Sequence, residues 1–206
     1  MLALIQNAGW PIWPLLATSF IGVALIIERA LALRRGKVLP RPLHDDVLRA
    51  LRTGHVTRDL IDGIHDDSPL GAVLAAAIHN RYLPYNELVA RVEDTGRLVA
   101  HELQRYLGAL TTIAALGPLL GLLGTVVGLI EIFSAWSPVG SDPTQLARGI
   151  SIALYNTAFG ILVAIPAIIF QRLYRARVAD FMIEIEQIAA RFVHILPGPN
   201  RGDTTR

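Results

Sequence analysis

The side chains able to handle an ion stand inside stretches otherwise built for lipid. Thr125 lies in GPLLGLLGTVVG (residues 117–128), Asn156 and Thr157 lie in ISIALYNTAFGILVAIPA (residues 150–167), and Glu131 follows the first of these runs. A hydroxyl at membrane depth has two fates: it bonds back to its own helix, or it meets water, an ion or a neighbouring helix. Spacing alone leaves both open for Thr125 and Thr157. Enzyme chemistry is not expected. His101-Glu102 would suggest a zinc helix, but Arg105 stands where the second histidine belongs, and the glycine run lacks the lysine of a phosphate loop. The chain has no cysteine, hence no disulfide, thiolate ligand or thiol nucleophile, and no nucleophile is set beside a base. No cofactor or metal is implied. The histidines all lie outside the apolar stretches and read as solvated or capping groups.

Helices must position these groups. Gly117, Gly121, Gly124 and Gly128 recur at steps of four, three and four, so at about 100° per residue they share one stripe, with Thr125 at its edge. Small residues let helix backbones touch, which is how helices associate in a bilayer. By the same count Ala153, Asn156, Thr157, Gly160, Ala164 and Ala167 share one face of the next apolar run. A short connection makes the two runs antiparallel, so their smooth faces fit together with Thr125 and Thr157 near one level.

Three uncharged stretches, residues 1–27, 106–130 and 149–171, each reach the roughly 20 residues that a bilayer core requires. With 52% hydrophobic residues in a chain of 206, the fold class is an all-α membrane protein. Its spans are placed at 10–33, 106–133 and 149–171. No basic residue precedes the first span, whereas Arg29, Arg34, Arg35 and Lys37 follow its apolar run; a cleaved signal peptide has the opposite order. Arg97 and Arg105 precede the second span, and Arg172, Arg175 and Arg177 follow the third. The positive-inside rule then puts residues 1–9 and the loop 134–148 outside, and residues 34–105 and 172–196 on the cytoplasmic side. Trp10, Trp13 and Trp136 fall at the outer interface, where an indole N–H stays wet. The net charge of +2 is small and its basic residues sit beside membrane ends, so the lipid bilayer rather than nucleic acid is the expected neighbour.

The cytoplasmic region 34–105 reads as helical. The pattern predicts a short amphipathic helix over 43–51 and a helix capped by Ser68-Pro69 that runs to about Arg81. A turn over 83–86 follows. From Glu87 the apolar positions Leu88, Val92, Val99, Leu103 and Leu107 keep a helical period into the membrane, predicting one helix over 87–133 of ~70 Å, bent at Pro118. The third span continues as a cytoplasmic helix to residue 196. Its stripe Phe181, Ile185, Ile188 and Phe192 wants a partner, for which the long second helix is nearest. Pro197 and Pro199 end it, and 197–206 reads as a frayed tail.

SPLGAVLAAAI, GPLLGLLGTVVGLI and GISIALYNTAFGILVAIPAI together resemble the MotA/TolQ/ExbB proton channel family, in its three-span TolQ and ExbB branch. The likeness covers nearly the whole chain. It implies a homopentamer whose second and third helices line a pore. The pore would hold single-span partners of the ExbD or TolR kind, whose membrane aspartate carries the proton, with a TonB- or TolA-like protein beyond them. The pore threonines of the family map onto Thr125 and Thr157. One position departs: the family motif G-I-x-E-A-L has a glutamate where this chain has Ile152. Glu131, 14 residues after Gly117, returns to the glycine face by the helical count and is the expected partial substitute, as a relay or as a cation-attracting ring. Interfacial water around Glu131 is the plainer reading. Against the channel stands a non-conducting oligomeric scaffold, which uses the same smooth faces.

Overall fold

The computed structural model describes residues 9–40, 58–134 and 143–196. Every regular element among them is an α-helix: α1 (Ile12–Ala32), α2 (Arg35–Val38), α3 (Arg58–Asp67), α4 (Pro69–His79), α5 (Tyr85–Gln104), α6 (Leu107–Ser134) and α7 (Pro143–Ile195). Three of the helices are long and apolar enough to cross a membrane. The amphipathic segment 43–51, Trp136 and the tail 197–206 lie outside the described residues.

The chain divides into two compact units. The first holds Met1–Arg29 and Tyr106–Leu173, and so contains most of α1, all of α6 and the first part of α7. Its outward side chains are Phe20, Leu119, Leu129, Leu162, Ile165 and their like, with Phe20 79% exposed. Leaving that much apolar surface in water forfeits about 25 cal/mol for each Å², whereas hydrocarbon accepts it and the helices satisfy their own backbone groups. Its buried positions include many small residues, Gly22 of α1, Gly117, Gly121, Gly124 and Gly128 of α6, and Gly160, Ala164 and Ala167 of α7, beside larger ones such as Ile12, Leu15, Leu110 and Ile152. Pro118 and Pro166 are carried inside α6 and α7.

The second unit holds Ala30–Arg105 and Tyr174–Arg206. Ser68 caps α4 as its sequence requires: the hydroxyl accepts from the Gly71 amide at 3.1 Å, and Pro69 takes the first helical position, where no donor is needed. A side chain on Gly71 would collide with the Ile64 carbonyl, so α3 and α4 meet backbone to backbone there. Asn80 closes α4 by donating to the Ala76 carbonyl at 2.8 Å, which ends the helix slightly before Arg81. Leu70, Val73, Leu74 and Ile78 of α4, Leu88, Val92 and Val99 of α5, and Phe181, Ile185 and Phe192 of α7 are buried. Helices α4 and α5 and the α7 tail share an apolar cleft of about 630 Å³, and Tyr85 and His194 bring their rings to 5.9 Å, so the tail stripe does find the α5 segment.

Two boundaries differ most from the sequence reading. The helix foreseen over 87–133 is broken: α5 stops at Gln104, Arg105 turns to φ −51°, ψ 140°, and Tyr106 takes the left-handed φ of 65° before α6 starts. The cause is local. Arg29, only 7% exposed, is fixed by Glu28 at 2.6 Å and lies 5.2 Å from the centre of the Tyr106 ring. The contact offsets the cost, on the order of 1 kcal/mol, of a left-handed non-glycine residue. At the other boundary, α7 starts at Pro143 rather than 149, taking in residues read as loop; proline fits a first helical turn.

Candidate ion pathway

Helices α6 and α7 meet along their smallest residues. A Cβ on Gly117 would stand 2.7 Å from the Gly160 carbonyl oxygen, and one on Gly160 would stand 2.5 Å from that of Gly117. A Cβ on Gly121 would lie 3.2 Å from the Thr157 Cα; one on Gly124 would run into the Asn156 side chain; one on Gly128 would reach the Gly149 oxygen at 2.7 Å. Partners on α7 fall in number as those on α6 rise, so the pair is antiparallel. All of Gly117, Gly121, Gly124, Gly128, Gly160 and Ala164 are buried in this seam. The sequence reading did not include Gly149 and Ile132, which extend the seam outward: a side chain on Gly149 would collide with Ile132. The signal was there, since Gly149 precedes Ala153 by one helical repeat.

The polar groups divide between the seam and its two flanks. Asn156 is fully buried against Gly124 and donates from Nδ2 to the Ile152 carbonyl at 2.9 Å. Thr157, half-buried, donates to the Ala153 carbonyl at 3.1 Å and stands 3.5 Å from the Gly121 carbonyl across the seam. Thr125, also half-buried, donates to the Leu122 carbonyl at 2.6 Å. Both threonines therefore carry the back-bond that lets a hydroxyl live in lipid.

Helical phase separates Thr125 from Glu131. Glu131 stands eighteen residues, five full turns, after Ile113, and Ile113 is the residue that meets Gly22 of α1. Thr125 lies about 120° from that line, on the other side of the seam. Glu131 is exposed, and Ser134 donates to its backbone carbonyl at 3.0 Å. On α7, Ile152 is 2% exposed and faces the turn at Gly9 that leads into α1, about 140° around the helix from Thr157. Thr125 and Thr157 thus share the flank away from the α1 contacts, whereas Glu131 and Ile152 share the α1 flank.

The family model described as the MotA/TolQ/ExbB proton channel family matches residues 65–187, which hold α4, α5, α6 and most of α7. The chain belongs to that family. It is similar to the ExbB-like 3 biopolymer transport protein of Synechocystis, 31% identical over 79% of this chain and 79% of the relative. It is also similar to the biopolymer transport protein exbB1 of Vibrio cholerae, 32% identical over 79% of this chain and 74% of the relative. The ExbB of Aquifex aeolicus is 34% identical over 64% of this chain and 90% of its own length. This is a family of channel and transport subunits, and its match spans the whole glycine seam together with Thr125 and Thr157.

Proposed function

We propose that the chain is a proton-channel subunit of an energy-transducing motor in the bacterial inner membrane. Five copies surround a pore lined by α6 and α7, with residues 1–9 and 134–148 periplasmic, residues 34–105 and 172–206 cytoplasmic, and α1 outermost. Single-span partners of the ExbD or TolR kind occupy the pore, bring the titrating aspartate, and pass work to a TonB- or TolA-like protein. The observation that carries this reading is the common flank of Thr125 and Thr157, which α1 leaves clear for a partner helix. Neither threonine titrates, so in this reading they hold water or the partner carboxylate in place while the partner moves the proton. Gly117, Gly121, Gly124, Gly128, Gly160 and Ala164 hold the lining helices together. Asn156 supports the path from within the seam, and Glu131 acts at a distance as a cation-attracting charge.

The test is proton flux into vesicles holding the complex of this chain with its single-span partner. Flux that requires the partner and falls in the Thr125→Val, Thr157→Val double variant supports the channel. Unchanged flux in that variant overturns the assignment of the threonines. One observation favours the scaffold reading: both hydroxyls already have carbonyl acceptors within their own helix. A correctly assembled complex that passes no protons with its partner would select it.

A further inference from the structure

The second unit contains a concave pocket of about 370 Å³ lined by Arg34, Arg35, Arg177, Asp180, Phe181 and Glu184. Arg34 precedes α2 and Arg35 opens it, and the other four come from α7. One ion pair is internal, because Arg35 donates from Nη2 to Glu184 Oε1 at 2.5 Å. That neutral pair leaves two cations, Arg34 and Arg177, and one anion, Asp180, none of which is in an ion pair among the described residues. Phe181, 5% exposed, adds an apolar wall.

Chain distance bounds the depth. Arg177 lies six residues along α7 from Gln171, the end of the uncharged run, so it is at most ~9 Å beyond it. Arg34 follows the end of α1 at Ala32 by two residues. The headgroup layer extends ~5 to 8 Å past the hydrocarbon on each side, within reach of an arginine side chain. Two guanidiniums are well suited to the oxygens of a phosphodiester, which they bind by paired charge-assisted hydrogen bonds. Asp180 changes which headgroup fits: it repels further negative charge and accepts a primary ammonium.

We propose that this pocket seats the headgroup of an aminophospholipid, with its phosphodiester between Arg34 and Arg177 and its ammonium on Asp180. The site holds the lipid at the leaflet where α1 ends, and it stands whether or not the threonine flank conducts. To test it, the delipidated oligomer is offered phosphatidylethanolamine, phosphatidylglycerol or inorganic phosphate in detergent, and bound mass is read by native mass spectrometry. Phosphatidylethanolamine is expected to be retained over phosphatidylglycerol. Joint Arg34→Gln and Arg177→Gln substitution should weaken that retention by more than about tenfold, since each charged hydrogen bond lost is worth about that factor. Asp180→Asn should shift the preference toward phosphatidylglycerol. Should the double Gln variant fail to assemble, the Asp180→Asn shift decides. Undiminished phosphatidylethanolamine in an assembled double Gln variant, an unchanged preference in Asp180→Asn, or displacement of lipid by equimolar inorganic phosphate would each overturn the proposal.

Discussion

Arg29 lies across the ring of Tyr106, its guanidinium carbon 5.2 Å from the ring centre, and Tyr106 is the one non-glycine residue with positive φ among the described residues. The contact and the backbone conformation should depend on each other. Arg29→Gln removes the cation, and Tyr106→Asn removes the ring while keeping a residue that tolerates the left-handed region. Each should lower thermal stability of the assembly by about 1 to 2 kcal/mol. The double variant should lose much less than the sum. Strictly additive losses in the double-mutant cycle would show that the ring contact does not hold the break.

Enlarging the seam should dismantle it. Gly121→Leu forces a branched side chain where a Cβ alone already approaches the Thr157 Cα to 3.2 Å. Overpacking costs ~1 to 3 kcal/mol per site, repeated in every copy of the chain. A lower melting temperature is the expected result, against an unchanged one for Leu119→Ala on the exposed side of the same helix.

Thr125→Val and Thr157→Val should preserve assembly. The cross-seam approach of Thr157 to Gly121 is long at 3.5 Å, and interhelical hydrogen bonds in membranes average only about 0.6 kcal/mol. A drop in proton flux with intact oligomers is therefore the expected signature of a path, measured as vesicle acidification with the partner present.

Restoring the family glutamate should not restore a carboxylate to the threonine flank. Ile152 is buried against the Gly9 turn, so Ile152→Glu places a carboxyl in a dry contact at a cost of about 1 to 3 kcal/mol even when neutral. Lower melting temperature without a gain in flux is expected. A flux increase at unchanged stability would mean that this position opens to the pore.

Glu131→Gln separates a relay from a distant charge. Because Glu131 is exposed on the α1 flank, its influence on the path should be electrostatic and screened by salt, the Debye length falling from about 10 Å at 0.1 M to 3 Å at 1 M. Flux should fall in the Gln variant at low salt and match the parent at high salt. A salt-independent loss would instead mark a proton relay.

The α6–α7 seam was legible because glycine steps of four, three and four have one geometric meaning on a helix, and the Ser68-Pro69 cap was legible because its donors and acceptors are local. The break at Tyr106 was not. Leu103 and Leu107 keep the helical step of four across it, so the apolar pattern runs on while the backbone does not. Arg29, the residue that fixes the break, is remote in sequence. Hydropathy also starts the third span at Gly149, since it registers contact with lipid, whereas α7 begins at Pro143 by backbone hydrogen bonding. Glu131 was placed by counting from Gly117; counting from Ile113, which the sequence could not show to be the α1 contact, puts it on the opposite flank from Thr125.

Gly117 and Gly160 each fill the space that a side chain on the other would need. In an ordinary core a residue that has grown can be accommodated by shrinking its neighbour, and second-site revertants commonly arise that way. Here both neighbours are already at the minimum size, so Gly160→Ala has no compensating exchange at Gly117. Revertants that recover assembly should map to positions that let the two helices move apart, such as Asn156, Ala164 or Ile132, and never to the facing glycine.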